Sequence, residues 1–142
     1  MQMNYWLFKS EPSSWSWDDQ RKAGKKGEGW DEVKNYQASK KKKKMKLGDH
    51  GFFYHSVSEK RIVGVVEVVK EYHPDPTDKS NKFGMVRVRA LRSLPVPVTL
   101  SDIKTNKALI EFQMIKQSRL SVVPVTKQEW NAICKMANLK NL

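Results

Sequence analysis

The 142-residue chain has a single cysteine, Cys134, and no long apolar run. One thiol cannot form an intrachain disulfide or supply a multi-cysteine metal site. No apolar stretch approaches the roughly 18 residues that a membrane-spanning helix needs, and the first residues lack the basic flank and cleavage site of a signal peptide. We therefore expect a protein without a metal or a membrane partner, located in the cytoplasm, or in the nucleus if the source is a eukaryote.

The residue patterns of common catalytic sites are also missing. The three histidines do not have the HxxxH or HExxH spacing of a metal site. Gly24, Gly27 and Gly29 are irregularly spaced and follow a predicted helix rather than a strand, so they do not match a dinucleotide-binding loop. The sequence also has no GxSxG motif. It predicts a non-enzymatic protein that needs no cofactor.

Acidic residues are few in comparison with basic ones. The chain has 27 basic residues against 15 acidic residues, which gives a formal net charge of +12. Such an excess favours a polyanionic partner such as nucleic acid, or an anionic membrane surface. Because 39% of the residues are apolar, the chain can bury a core of its own. We expect one monomeric domain that spans residues 1–142.

Apolar and aromatic runs predict a β-rich centre. Strands are predicted at Tyr5–Lys9, Gly51–Ser56, Arg61–Val69 and Met85–Leu91. The third run is nearly apolar on both faces, which is typical of an interior strand that is covered on both sides. In the fourth run the side chains alternate, with Val86, Val88 and Ala90 facing inward and Arg87 and Arg89 facing outward. The prolines and polar residues of 72–82 predict a loop between these two strands.

Helix signals flank this predicted sheet. The clearest is the capping box Thr126–Glu129, which is followed by Trp130, Ile133 and Ala137 at helical spacing. A helix start is predicted at Ser14–Gln20, and a short helix at Asn35–Met45 with an end near Gly48. Another short helix is predicted to begin at Ser101, with Ser101 as its cap. The predicted class is α+β, a small curved or barrel-like sheet of about five to six strands with short flanking helices.

The stretch from Gly29 to Ala38 combines aromatic and amide side chains. Flat rings can stack an unpaired base for about 1–3 kcal/mol each, while amide groups read its edge. Trp6, Trp15 and Trp17 lie on predicted elements, so we expect them in the core. Trp30 follows a glycine-containing loop and belongs to no apolar run, so its sequence context supports a cleft position as well as a core position.

A run of lysines, Lys40–Lys44, follows that stretch directly, and Lys46 extends it. Five consecutive lysines would repel one another on a helix, so the segment is expected to be exposed. Three interpretations stay open: a solvated surface that keeps the protein soluble, a phosphate-binding segment, and a nuclear localisation signal.

Several motifs in order along the chain resemble the EVE domain family. They are Tyr5–Pro12, Trp30–Ala38, Met45–Asp49, Phe53–Ser56, Ile62–Val68 and Pro74–Thr77. The resemblance extends from about Met3 to Trp130, which is nearly the whole chain. It implies a PUA-like fold, a curved β-barrel with flanking helices. In layout that fold is similar to YTH domains, which hold methylated adenine in an aromatic cage, and to SRA domains, which hold flipped methylcytosine.

The resemblance also implies a pocket for a modified base, most of all a methylated or hydroxymethylated cytosine in DNA. The residues that it assigns to the base are Lys9, Ser10, Glu11, Trp30, Asn35, Tyr36, Tyr54, His55 and Ser56. The expected phosphate-binding residues are Lys34, Lys40, Lys41, Lys42, Lys43, Lys44 and Lys46. The alternative is a PUA-like RNA-binding protein that acts through its basic surface without selectivity for modified bases. For His55, a structural role is as well supported as base reading.

The chain departs from the family pattern at two places. Glu32 stands where the family usually has glycine, and it could narrow the pocket entrance or repel phosphate. Ser39–Lys44 stands where the family has an arginine- and asparagine-rich helix start. The lysines keep the positive charge but lose the bidentate phosphate geometry of arginine.

Overall fold

The fold is described from a computed structural model. The described residues are 4–11, 13, 16–22, 28–30, 45–56, 59–74, 84–110, 112–116 and 122–139, with the backbone alone at 28–30, 72–74, 84–85, 113 and 116. All but the last residue of the predicted helix at Asn35–Met45 lies outside these ranges, and so does the lysine run Lys40–Lys44. Trp15 and most of the predicted loop at 72–82 lie outside them too.

Within the described residues, six strands form one sheet in an α+β fold. The strands are β1 (Tyr5–Ser10), β2 (Glu28–Trp30), β3 (His50–His55), β4 (Arg61–Pro74), β5 (Gly84–Thr99) and β6 (Val122–Val125). Their spatial order is β2-β5-β4-β3-β1-β6. The β1–β3 pair is parallel, and every other described pair is antiparallel. The predicted class α+β is thus confirmed.

Short helices connect and cover these strands. They are α1 (Trp17–Lys22), α2 (Leu100–Thr105), a 3-10 turn (Lys107–Leu109), α3 (Gln113–Lys116) and α4 (Lys127–Met136). The predicted capping box of α4 is confirmed, with Thr126 and Glu129 bonded reciprocally. The prediction for α2 was wrong about its cap: Thr99, not Ser101, precedes the helix and bonds reciprocally with Asp102. Thr99 ends β5, so the chain turns directly from the strand into the helix.

Side chains on the two faces of the sheet form two separate cores. We call them the helix-side core, which contains Trp130 and Ile133 of α4, and the α1-side core, which contains Trp17 of α1. The central strand β4 contributes Ile62 and Val65 to the first and Val66 and Val68 to the second. The prediction that this strand is interior and covered on both faces is therefore confirmed.

Strand β5 is longer than predicted. Val86 and Val88 are fully buried, which confirms the predicted alternation, but the strand continues beyond Leu91 to Thr99. Pro95 and Pro97 lie in this continuation. In the described residues β2 pairs with β5 only opposite positions 86–88, so the rest of that strand edge can accommodate prolines, which have no N–H to donate.

Two further sequence predictions were wrong about loops. Strand β4 continues through Tyr72 to Pro74, since its C-terminal half pairs with the start of β5. Gly29, predicted to end a flexible loop, lies within β2 and pairs with Arg87. In both places a partner strand distant in sequence supplies hydrogen bonds that override the local loop signal.

Candidate nucleic-acid interface

The ends of β1 and β3 bring two of the predicted site segments together. Because these strands run parallel, their carboxyl ends reach the same edge of the sheet, and Ser10 pairs with His55. The Ser56 amide donates to the Ser10 carbonyl at 2.9 Å, which extends the pairing one residue beyond β3. Ser10 and His55 are buried, while Glu11 is exposed at the rim, where it accepts a hydrogen bond from the Ser13 hydroxyl.

Strand alternation divides the predicted base-binding residues between the two faces of the sheet. Lys9 pairs with Tyr54, and Tyr54 belongs to the helix-side core. Ser10 and His55, one residue further on, face the opposite side, where the α1-side core lies. Burial raises the pKa of Tyr54 to about 12 and lowers the pKa of Lys9. Tyr54 therefore keeps its hydroxyl proton at neutral pH.

His55 connects β3 to α1 and to the turn before β4. Its Nε2 accepts a hydrogen bond from the Trp17 backbone N–H at 2.9 Å, and its Nδ1 lies 3.0 Å from Glu59 Oε1. Since Nε2 is the acceptor, the proton of the neutral ring is on Nδ1 and is donated to Glu59. The hydrogen bond from His55, followed by that from Arg61, holds the pKa of Glu59 below its ordinary value. Both ring nitrogens of His55 are thus engaged within the protein.

Trp17 is a second anchor of α1 and was not among the predicted site residues. Its indole N–H donates to the Ser93 hydroxyl at 2.9 Å, and its ring lies over Gly64 of β4. One turn later the Gln20 side chain donates to the Val88 carbonyl. Helix α1 is therefore fixed across three strands. Gly64, set within a run of valines and isoleucine, is the sequence signal that marks a close approach at this point.

The remaining predicted site residues are described only in part. Trp30 ends β2, with its backbone paired to Val86, but its side chain lies outside the described structure. Asn35 and Tyr36 lie outside it as well, as do Lys34 and Lys40–Lys44. Lys46 is exposed, directly before the turn that leads into β3. Their roles stay predictions.

The described residues also bear on two other kinds of partner, metal ions and membranes. No group of three or more histidine, cysteine or acidic side chains there could hold a metal ion. None of the helices in these parts of the chain is both long and apolar enough to cross a membrane.

Replacing His55 should show whether its hydrogen-bonding roles stabilise the fold. In His55→Phe the Trp17 N–H loses its acceptor, which should lower the free energy of unfolding by about 2 kcal/mol. In His55→Gln the side-chain oxygen can reach the position of Nε2, so the loss should be under about 1 kcal/mol. Urea unfolding followed by tryptophan fluorescence would measure both. Equal losses would show that the hydrogen bond to α1 does not contribute.

The domain is thus an α+β sheet in which the parallel strand pair ends beneath a short helix. Comparison with known proteins gives its family. The family model "EVE domain" matches residues 4–136. The chain therefore belongs to the EVE domain family, as the sequence motifs indicated.

Individual relatives cover nearly the whole chain. Protein Atu2648 from Agrobacterium tumefaciens is 45% identical, with a TM-score of 0.93 and coverage of 98% of this chain and 96% of that one. Mouse thymocyte nuclear protein 1 is 36% identical over 94% of this chain and 73% of its own length. Human THYN1 protein, in a structure of its complex with 5-methylcytosine-containing DNA, is 30% identical, with a TM-score of 0.85 and coverage of 97% and 99%.

The fold is also similar to that of a YTH domain. The YTH domain of Zygosaccharomyces rouxii MRB1 protein, in complex with N6-methyladenosine RNA, has a TM-score of 0.57. The match covers 99% of this chain and 91% of the YTH chain. The two sequences are 16% identical, a level that establishes likeness of fold alone.

Proposed function

We propose that this protein is a non-enzymatic reader of a modified base, a methylated or hydroxymethylated cytosine in DNA. The observation that carries the proposal is the membership in a family with a relative that binds 5-methylcytosine-containing DNA. The geometry at the ends of β1 and β3 supports it. There Ser10 pairs with His55, the Ser56 amide bonds to the Ser10 carbonyl, and His55 accepts a hydrogen bond from α1, which contacts three strands.

We infer that the sheet curls into a PUA-like barrel. The α1-side core joins buried side chains from the second and the last strand of the pairing order, Val86 of β5 and Val122 of β6, in one cluster. Register shifts at four places between β4 and β5 supply the bending that such curvature needs.

A base in a duplex must leave the stack before such a pocket can bind it. Unstacking and unpairing cost a few kcal/mol, and stacking on Trp30 together with hydrogen bonds to the base edge must offset that cost. The Glu11 carboxylate, exposed at the rim, is suited to accept from an exocyclic amine, the group that distinguishes cytosine from thymine. A methyl group adds only about 1 kcal/mol by apolar burial, so the preference for modification should be near fivefold unless the pocket is tight.

The two faces of the sheet suggest a division of roles among the predicted base-binding residues. Ser10 and His55 would lie closest to the base, with Trp30, Asn35 and Tyr36 closing the pocket. Lys9 and Tyr54 would support the strand ends from the helix side. The lysines Lys34, Lys40–Lys44 and Lys46 would attract the phosphate backbone of a DNA bound to the monomeric protein.

Trp30→Ala should weaken binding to an oligonucleotide that contains 5-methylcytosine. The loss of a stacking platform worth about 1–3 kcal/mol corresponds to a roughly 5- to 150-fold higher Kd. Trp30→Phe retains a flat ring and should recover much of the affinity. Fluorescence titration would measure Kd for matched strands with cytosine, 5-methylcytosine and 5-hydroxymethylcytosine, at two salt concentrations.

Two results would contradict the proposal. One is an unchanged Kd in Trp30→Ala, which would remove Trp30 from the pocket. The other is wild-type binding that ignores modification and weakens steeply with salt. That result would favour the second candidate function, a PUA-like RNA-binding protein that acts through its basic surface, for which the net charge of +12 is the supporting observation.

A further inference from the structure

Arginine is rare in this chain and is concentrated on one strand. Six of the 27 basic residues are arginines, and three of these six, Arg87, Arg89 and Arg92, lie on β5. We propose that these three residues and Lys70 of β4, together called the arginine strip, bind the phosphate backbone of the nucleic acid. This site would be separate from the base pocket, and the inference rests on the proposed function insofar as nucleic acid is the ligand.

The pairing register places the strip on one face of the sheet. Arg87 pairs with Lys70, Arg89 with Glu67, and Arg92 with Val65. Two residues apart on a strand, Arg87 and Arg89 point to the same side, and a register shift between Arg89 and Arg92 keeps Arg92 on that side as well. Val65 belongs to the helix-side core, so the strip lies on the face away from Ser10 and His55.

A row of contacts fixes where the strip begins. Trp130 of α4 packs against the His50 ring, with 6.2 Å between ring centroids. His50 Nε2 lies 3.9 Å from Glu67 Oε2, and the guanidinium of Arg89 is bonded to Glu67 Oε1, with the shorter distance 2.7 Å. On this face of the sheet, the aromatic packing of α4 thus ends at Glu67, and charged side chains follow.

The four side chains of the strip are cationic and lie at positions that are at least partly exposed. Lys70 and Arg92 are exposed, and Arg87 and Arg89 are half-buried. Glu67 restrains Arg89, whose side chain keeps 30% exposure. A guanidinium held in this way loses less conformational freedom when it binds a ligand than a mobile lysine does.

Arginine and strand geometry together favour phosphate as the ligand. The planar guanidinium presents paired N–H donors that match two phosphate oxygens, which a lysine cannot do. Alternate residues of a strand lie roughly 6.6 Å apart, so Arg87 and Arg89 form a regular row of cations on a rigid support. A polyanion with regularly repeated charges suits such a row better than a single anionic group does.

The double variant Arg87→Gln/Arg92→Gln tests the strip and leaves the Arg89–Glu67 ion pair in place. Binding to one duplex would be measured across a salt series. Each lost phosphate contact reduces the slope of log K against log salt by about 0.9, so the double variant should reduce it by about 1.8 and weaken low-salt binding roughly tenfold or more. Arg92→Gln alone, at an exposed position, should reduce the slope by about 0.9.

A control of equal charge is Lys104→Gln/Lys107→Gln, at exposed positions in and after α2. These residues lie beyond Thr99, the end of β5 away from Arg87, and should leave the slope unchanged. If the arginine variants and the lysine control change the slope equally, or the arginine variants change it by less than about 0.5, the strip is not a phosphate site.

The readouts separate this inference from the proposed function. The ratio of Kd values for modified and unmodified strands reports on the pocket, and it should be the same in wild type and in Arg87→Gln/Arg92→Gln. A wild type that shows no such ratio but does show the arginine-dependent slope would support the strip and contradict base reading. A variant that loses the ratio while keeping the slope would overturn the strip.

Discussion

Asp49→Ala should lower the free energy of unfolding by about 3–4 kcal/mol. Asp49 directly precedes β3 and is 3% exposed, and its carboxylate accepts three hydrogen bonds. The donors are the Trp6 indole N–H at 3.1 Å, the Lys46 amide at 2.9 Å and the Asn4 amide at 3.2 Å. The alanine variant would leave the buried indole N–H without a partner. Urea unfolding of wild type and variant measures the difference.

Two matched variants show whether the hydrogen bonds cause that loss. Asp49→Asn keeps an oxygen that can accept from both Trp6 and Lys46, so it should lose only about 1–2 kcal/mol. In a Trp6→Phe background, which lacks the indole donor, Asp49→Ala should cost at least about 1 kcal/mol less than in wild type. If the two single changes were simply additive, the indole–carboxylate bond would not contribute.

Gly64→Ala should destabilise the fold by about 1–3 kcal/mol through overpacking, although alanine in a strand ordinarily costs nothing relative to glycine. A Cβ at Gly64 would overlap the six-membered ring of the Trp17 indole. The ring cannot move aside freely, because its N–H is bonded to Ser93 and the ring also contacts Phe53 at a centroid distance of 5.3 Å. The variant should also lose part of the docking of α1, which hydrogen exchange at the α1 amides would detect.

The double variant Gly64→Ala/Trp17→Ala separates overlap from a general effect of the substitution. Trp17→Ala alone should cost about 3–5 kcal/mol, since it leaves a large cavity. In that background the added Cβ has room, so Gly64→Ala should be neutral or slightly stabilising. If Gly64→Ala cost the same in both backgrounds, contact with Trp17 would not be the reason that glycine occupies this position.

Local patterns in the sequence were sufficient for the elements whose stability is local. The largely apolar run identified the interior strand β4, and the Thr126–Glu129 pair identified the start of α4, since both signals lie within a few residues. The alternation around Arg87 placed its side chain on the face opposite to Val86 and Val88, where the structure has it. The family resemblance, carried by separate motifs, assigned residues at the ends of β1 and β3 to one pocket, and that assignment stays a prediction.

Elements that depend on distant partners could not be predicted in the same way. β6 has only four residues, one of them Pro124, and it is a strand because it pairs with β1. Trp17 was expected in the core, and it is buried. Its hydrogen-bonding role depends on His55, 38 residues away, and Ser93, 76 residues away. Lys9 and Tyr54 lie on one face of the sheet, and Ser10 and His55 lie on the other. This placement could be derived only from the pairing register, which the motifs do not contain.

The position of β1 between β3 and β6 has a consequence for how the chain acquires its structure. β1 comes early in the sequence, but one of its two neighbours is formed by Val122–Val125. Contacts of such large sequence separation slow folding, typically to milliseconds or seconds. During synthesis on the ribosome, β1 therefore cannot pair with β6 until almost all of these 142 residues have been made, and the backbone along that edge stays unpaired. Over that interval the nascent chain exposes a strand edge beside Leu7 and Phe8, and this is when it most needs protection from aggregation.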